Sequence, residues 1–113
     1  MNPSREKLQE WISDAREKTL LLVQDLSEEQ LLGPQLDIVN PLLWEIGHVA
    51  WFQEKWVLRR EKDIPSLRKD ADQLYDSIAI PHDVRWSLPL YDREETICYL
   101  LEVREAVLQR LNS

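Results

Sequence analysis

The side chains in this sequence with the most chemistry to offer are His48, His82, Cys98 and Arg85. His48 stands in "NPLLWEIGHVAWFQEKW", among Leu42, Leu43, Trp44, Ile46, Val49, Ala50, Trp51 and Phe52. An imidazole in so apolar a run is either a hydrogen-bonded core group or a metal ligand held in a dry setting. A catalytic metal centre asks for at least three protein ligands with open positions. The other histidine, His82, lies between Pro81 and Asp83, and its spacing from His48 does not argue for joint coordination; it reads as a surface or loop-packing residue. Cys98 has no second cysteine for an internal disulfide or a zinc pattern, so it reads as a small buried side chain. In "HDVRW", Arg85 precedes Trp86. An arginine held against an indole could clamp a carboxylate with its planar fork. The other reading is an exposed arginine next to a buried tryptophan.

Helices must position these groups. Two glycines, six prolines and little alternation predict an all-α chain broken at the prolines. From Arg5 to Leu26, Leu8, Trp11, Ile12, Ala15, Thr19, Leu22, Val23 and Leu26 form one stripe of three-four spacing. "SEEQ" at Ser27 to Gln30 has the form of a capping box, and Gly33-Pro34 ends the short helix it starts. Asn40 suits an N-cap and Pro41 a first helical position, so a second long helix should run to about Arg60. Its apolar residues surround the axis, which predicts a central helix, and Arg59-Arg60-Glu61-Lys62-Asp63 reads as its solvated end. Leu67, Ala71, Leu74, Tyr75 and Ile78 predict a shorter helix from Ser66 to Ser77. Asp92 with Glu95 opens a third long helix carrying Ile97, Leu100, Leu101, Val107, Leu108 and Leu111. Trp11, Trp44, Trp51 and Trp56 fall within these helical patterns and are expected in the core.

Composition removes several classes of function. The 113 residues make one small domain, 1–113. With 14 Lys and Arg against 21 Asp and Glu, a net charge of -7 repels phosphate backbones and anionic headgroups, so neither a nucleic-acid nor a membrane partner is expected. No apolar run reaches the roughly 20 residues of a membrane span. The polar start "MNPSREKLQE" lacks the apolar stretch of a signal peptide, so a cytoplasmic setting is expected. A central helix apolar on most sides needs more cover than two amphipathic neighbours give. The uncovered face predicts a homo-oligomer.

"NPLLWEIGHVAWFQEKWVLR", followed by "ADQLYDS", "PHDVRWSLPL" and "YLLEVREAVLQRL", resembles the N-terminal DinB-like domain of ergothioneine-type sulfoxide synthases over nearly the whole chain. The resemblance implies an up-down helical bundle in which the histidine of "GHVAWF", here His48, is one of three imidazoles on a non-haem iron(II). The family's other two come from an HxxxH pair on a fourth helix that has no counterpart through Ser113, so the resemblance implies three long helices present, the fourth missing and the iron site incomplete. His82 does not match that pair. The family's large C-terminal domain, which supplies a catalytic tyrosine, has no counterpart here either.

Complete enzymes of this kind join the sulfur of cysteine or γ-glutamylcysteine to an imidazole carbon of histidine or trimethylhistidine, using O2 and iron(II). By the same resemblance, Arg85 is the candidate that binds the thiol substrate's carboxylate. The expectation is an iron-site portion of an oxidoreductase, inactive alone, with thiol and histidine-derived substrates only in the complete enzyme. The rival reading is a non-catalytic helical module that self-associates or binds a partner helix, since fold alone does not fix function.

Overall fold

The computed structural model describes residues 3–60 and 64–112, so residues 61–63 of the expected charged helix end lie outside the described residues. Helix α1 spans Arg5–Val23, with the Ser4 hydroxyl accepting from the Lys7 amide at 3.1 Å as its N-cap. Helix α2, Glu28–Leu32, carries the expected capping box in full: Ser27 Oγ accepts from the Gln30 amide, and Gln30 Oε1 accepts from the Ser27 amide. Gly33 ends it at φ 66°, a left-handed value that glycine adopts without penalty.

Helix α3, Leu42–Gln53, runs on into a wider π-helical turn, Glu54–Leu58. The start of α3 departs from expectation. No side chain caps it, and the Asn40 amide instead donates to Glu45 Oε1 at 2.5 Å while its carbonyl accepts from Arg85. The helix expected over residues 66–77 contracts to α4, Ala71–Tyr75. Helix α5, Arg93–Leu111, is capped by Asp92, whose carboxylate accepts from the Glu95 amide at 2.8 Å. At its first residue, Arg93 Nη1 donates to the Leu26 carbonyl and its amide to Glu28 Oε1, tying the start of α5 to the α1–α2 connection.

These three long helices form an all-α bundle, with no strand among the described residues. Helix α5 packs against both α1 and α3, and α2 and α4 brace α3. Trp44, Ala50, Leu74, Tyr75, Tyr99, Leu100 and Val103 make the core, each at most 3 % exposed. Expectations fail on burial at Leu22 of the α1 stripe, which is 79 % exposed, and at Cys98, Trp11 and Trp56. Cys98 is exposed, because α5 turns it away from the side that carries buried Thr96, Tyr99, Leu100 and Val103. Trp11 and Trp56 are 53 % and 57 % exposed, since they face an open groove between α1 and α3. No helix among the described residues is long and apolar enough to cross a membrane.

Candidate functional site around His48

Residues 44, 48 and 51 lie at i, i+4 and i+7 on α3 and therefore share one face. That face holds α4 at both ends. Trp44 Nε1 donates to the Leu74 carbonyl at 2.7 Å, and His48 Nδ1 lies 2.7 Å from the Tyr75 carbonyl. These are carbonyls of the last turn of α4, which have no partner inside so short a helix. At the other end Trp51 Nε1 donates to Asp72 Oδ1 at 2.7 Å, and the Arg59 fork pairs with both Asp72 oxygens at 2.9 and 2.8 Å. The Arg59 guanidinium, helped by the Trp51 N–H, pulls the Asp72 carboxyl down to about 2. Side chains of α3 thus take the carbonyls at the C-terminal end of α4, and Trp51 with Arg59 hold the Asp72 carboxylate near its start.

A carbonyl oxygen can only accept, so the His48 Nδ1 carries the proton and Nε2 is left with its lone pair. The ring is half-buried and stacks on Trp44, with centroids 4.7 Å apart and planes 8° from parallel. Trp51 and Phe52 close its sides at 5.8 and 6.1 Å. A backbone carbonyl on one nitrogen and a free lone pair on the other is the outer support that orients metal-ligating histidines. The donor set stops there: no group of three His, Cys, Asp or Glu among the described residues could hold a metal ion. The residues present supply one oriented imidazole and do not by themselves form an iron centre.

Arg85 is 8 % exposed, and its indole partner is Trp44, with the guanidinium carbon 4.0 Å from the ring centroid. Trp86, the neighbour in sequence, meets His82 edge-on instead. Arg85 donates from Nε and Nη2 to the Ile80 carbonyl, from Nη2 to the Ser77 carbonyl at 3.2 Å, and from Nη1 to Asn40 Oδ1 at 3.0 Å. One Nη1 proton is left over, so this guanidinium chiefly binds the 77–80 loop to the start of α3. His48 and Arg85 are thus brought to one indole ring. His82 lies apart from His48: its Nε2 is 2.6 Å from the Val39 carbonyl and its Nδ1 3.3 Å from Asp83 Oδ1. These acceptors, the Val39 carbonyl first, raise its pKa and make it a loop-packing residue.

Three residues that matter here carry little signal in the sequence. Tyr75 acts through its backbone, which no side-chain pattern reveals. Glu54 is fully buried, its carboxylate taking the Tyr99 hydroxyl at 2.5 Å and the Leu67 amide at 2.7 Å. Its position four residues after buried Ala50 was the available clue. Arg16 is 5 % exposed and stands four residues after Ile12, on the side of α1 that lines the groove.

The sequence signature of the DinB superfamily matches residues 12–113. The chain is also similar to the hercynine oxygenase of Mycolicibacterium thermoresistibile, with 34% identity over 112 residues that cover 97% of this chain and 25% of that protein. The hercynine oxygenase of Mycolicibacterium smegmatis is 31% identical over 97% of this chain and 26% of its own length. That of Mycobacterium tuberculosis is 32% identical over 96% of this chain and 26% of its own. The chain therefore spans about a quarter of the length of the curated relatives it matches. All-helical, and matched by the family signature from the middle of α1 through α5, the chain belongs to the DinB superfamily.

Proposed function

We propose that this chain is the DinB-type portion of a sulfoxide synthase of ergothioneine-type thiol-histidine biosynthesis, and that His48 contributes one imidazole to a non-haem iron(II). The observation that carries the reading is the 2.7 Å contact from His48 Nδ1 to the Tyr75 carbonyl, which leaves Nε2 free as a donor. It supports the reading because the chain bearing it is 34% identical to a hercynine oxygenase over 97% of its length. Bound iron would supply O2 activation for joining a thiol sulfur to an imidazole carbon of a histidine-derived substrate. The chain's own part is to hold the His48 ring at a fixed angle between Trp44 and the Tyr75 carbonyl. The remaining ligands and most of the substrate pocket come from outside the described residues. Arg85 enters with the one spare Nη1 proton for a substrate carboxylate. Its four internal contacts favour a second role, holding Trp44 and so the face of the His48 ring.

The test is a chimera in which this chain replaces the matched quarter of the Mycolicibacterium thermoresistibile hercynine oxygenase. Anaerobic iron(II) titration by calorimetry should give a saturable site, and His48→Ala should weaken it by at least about 100-fold, more than the loss of an outer-shell partner produces. Unchanged iron affinity in His48→Ala would sink the assignment.

A further inference from the structure

Asp76 stands at the C-cap of α4, where a carboxylate has the wrong sign for the negative end of a helix. What it gains there is a turn. Its Oδ1 accepts from the Ile78 amide at 3.0 Å and the Ala79 amide at 3.4 Å. Its own carbonyl accepts from the Ala79 and Ile80 amides at 3.1 and 2.9 Å. The amides of residues 78–80 are thus all taken by this one residue. The carbonyls of the same turn go elsewhere, those of Ser77 and Ile80 to the Arg85 guanidinium. Asp76 Oδ2 lies 4.0 Å from Lys55 Nζ, which sits over the Trp51 ring. Ser77, Ile78 and Ala79 are exposed, so hydrogen bonds rather than packing hold the shape of the turn.

We propose that Asp76 is a positioning residue for His48. The link is covalent. The Tyr75 carbonyl that meets His48 Nδ1 at 2.7 Å and the Asp76 amide belong to one planar peptide unit. That plane turns only about the Tyr75 Cα–C and Asp76 N–Cα bonds. The fully buried Tyr75 ring fixes it on one side, and the turn fixes it on the other, at an Asp76 φ of -71°. Asp76 Oδ1 therefore holds in place the oxygen that decides which nitrogen of His48 carries the proton. Lys55 is secondary, since an ion pair at 4.0 Å with a partly exposed ammonium adds little. Arg85 shares the task from the opposite side: it grips the carbonyls of the turn and faces Trp44, the indole on which His48 stacks. What the tautomer means for a metal rests on the iron reading of His48; the positioning by Asp76 does not.

The test is long-range proton–nitrogen correlation NMR of His48 in this chain and its variants, under mildly alkaline conditions, with urea unfolding alongside. Asp76→Ala, in a turn open to solvent, should keep the fold. It should raise the ratio of the Nε2–H to the Nδ1–H tautomer at least about fivefold, the effect of loosening one hydrogen bond. Asp76→Asn keeps an Oδ1 acceptor for the turn and should restore the parent ratio. Lys55→Met should leave the ratio unchanged. Asp92→Ala removes a comparable cap at the start of α5 and should lower the urea midpoint without moving the ratio. The parent ratio retained in Asp76→Ala would overturn the inference and leave the iron reading intact. An equal shift in Asp92→Ala would mean general loosening, and an Asn variant that behaves as alanine would remove the Oδ1 role; either overturns it. A shift in Lys55→Met as large as in Asp76→Ala would assign the effect to the ion pair and overturn it too. A parent chain already protonated on Nε2 would overturn both this inference and the His48 geometry beneath the iron reading.

Discussion

Replacing Glu54 with alanine is expected to destabilise the fold by about 3–5 kcal/mol, as removal of one partner from a buried charged network does. The carboxylate is fully buried in the π-helical turn and holds the Tyr99 hydroxyl and the Leu67 amide, with Arg59 4.0 Å away. Burial, reinforced by the Glu54 carboxylate, pushes the Tyr99 phenol far above its ordinary range, so its proton stays in place as the donor. Without Glu54 the buried Tyr99 hydroxyl is left unpaired, at about 1–3 kcal/mol, and the Leu67 N–H loses its acceptor. Glu54→Gln keeps an acceptor for one of them and should lose roughly half as much. Urea unfolding of the three proteins orders them. A Glu54→Ala variant within about 1 kcal/mol of the parent would show that the network contributes little. Against a typical total of about 5–15 kcal/mol, the expected loss is a large share.

Gly47→Ala is the second large effect, and it reaches the candidate site directly. A Cβ at this helical position would lie 2.4 Å from Cε1 and Cζ of Tyr75 and 2.6 Å from its hydroxyl oxygen. The Tyr75 ring cannot give way, being fully buried, stacked on Tyr99 at 6.1 Å and meeting Tyr91 edge-on at 6.0 Å. Alanine gains about 1 kcal/mol in helix propensity, but overpacking of a rigid core costs up to about 3 kcal/mol. The clash wins, for a net loss of about 2 kcal/mol. Moving Tyr75 also moves the carbonyl that orients His48, one residue along the chain from Gly47. The expected outcome is a lower urea midpoint together with a changed His48 ring environment by NMR. A variant as stable as the parent with unshifted His48 signals would contradict this packing.

The long helices were legible because their apolar residues repeat at helical spacing, and Asp92 with Glu95 announces the start of α5 as Ser27 with Gln30 announces the short α2. His48 was legible as an anomaly, an imidazole in an apolar run. What surrounds it was not. Helix α4 is shorter than its pattern predicts, and Trp44, His48, Trp51 and Arg59 reach across to its last carbonyls and to Asp72; such long-range bonds leave no local period to read. Arg85 was picked for the tryptophan next to it in sequence, whereas the loop turn sends its guanidinium to Trp44, 41 positions earlier. Cys98 and Trp11 look like core by residue type, yet composition cannot say which side of a helix a neighbour covers. Arg16 is the converse case, an arginine that type alone assigns to solvent and packing puts under a groove.

The Tyr75 carbonyl fixes His48 as the Nδ1–H tautomer and leaves the Nε2 lone pair free, as the proposed iron role requires. A histidine side chain in water prefers its proton on Nε2, so the Tyr75 carbonyl must reverse that preference. Long-range proton–nitrogen correlation NMR on this chain, under mildly alkaline conditions, reads the tautomer of each ring nitrogen. His48 should show a protonated, pyrrole-like Nδ1 and an unprotonated, pyridine-like Nε2. A protonated Nε2 with a bare Nδ1 would contradict it, because the nitrogen offered to a metal would then carry a proton.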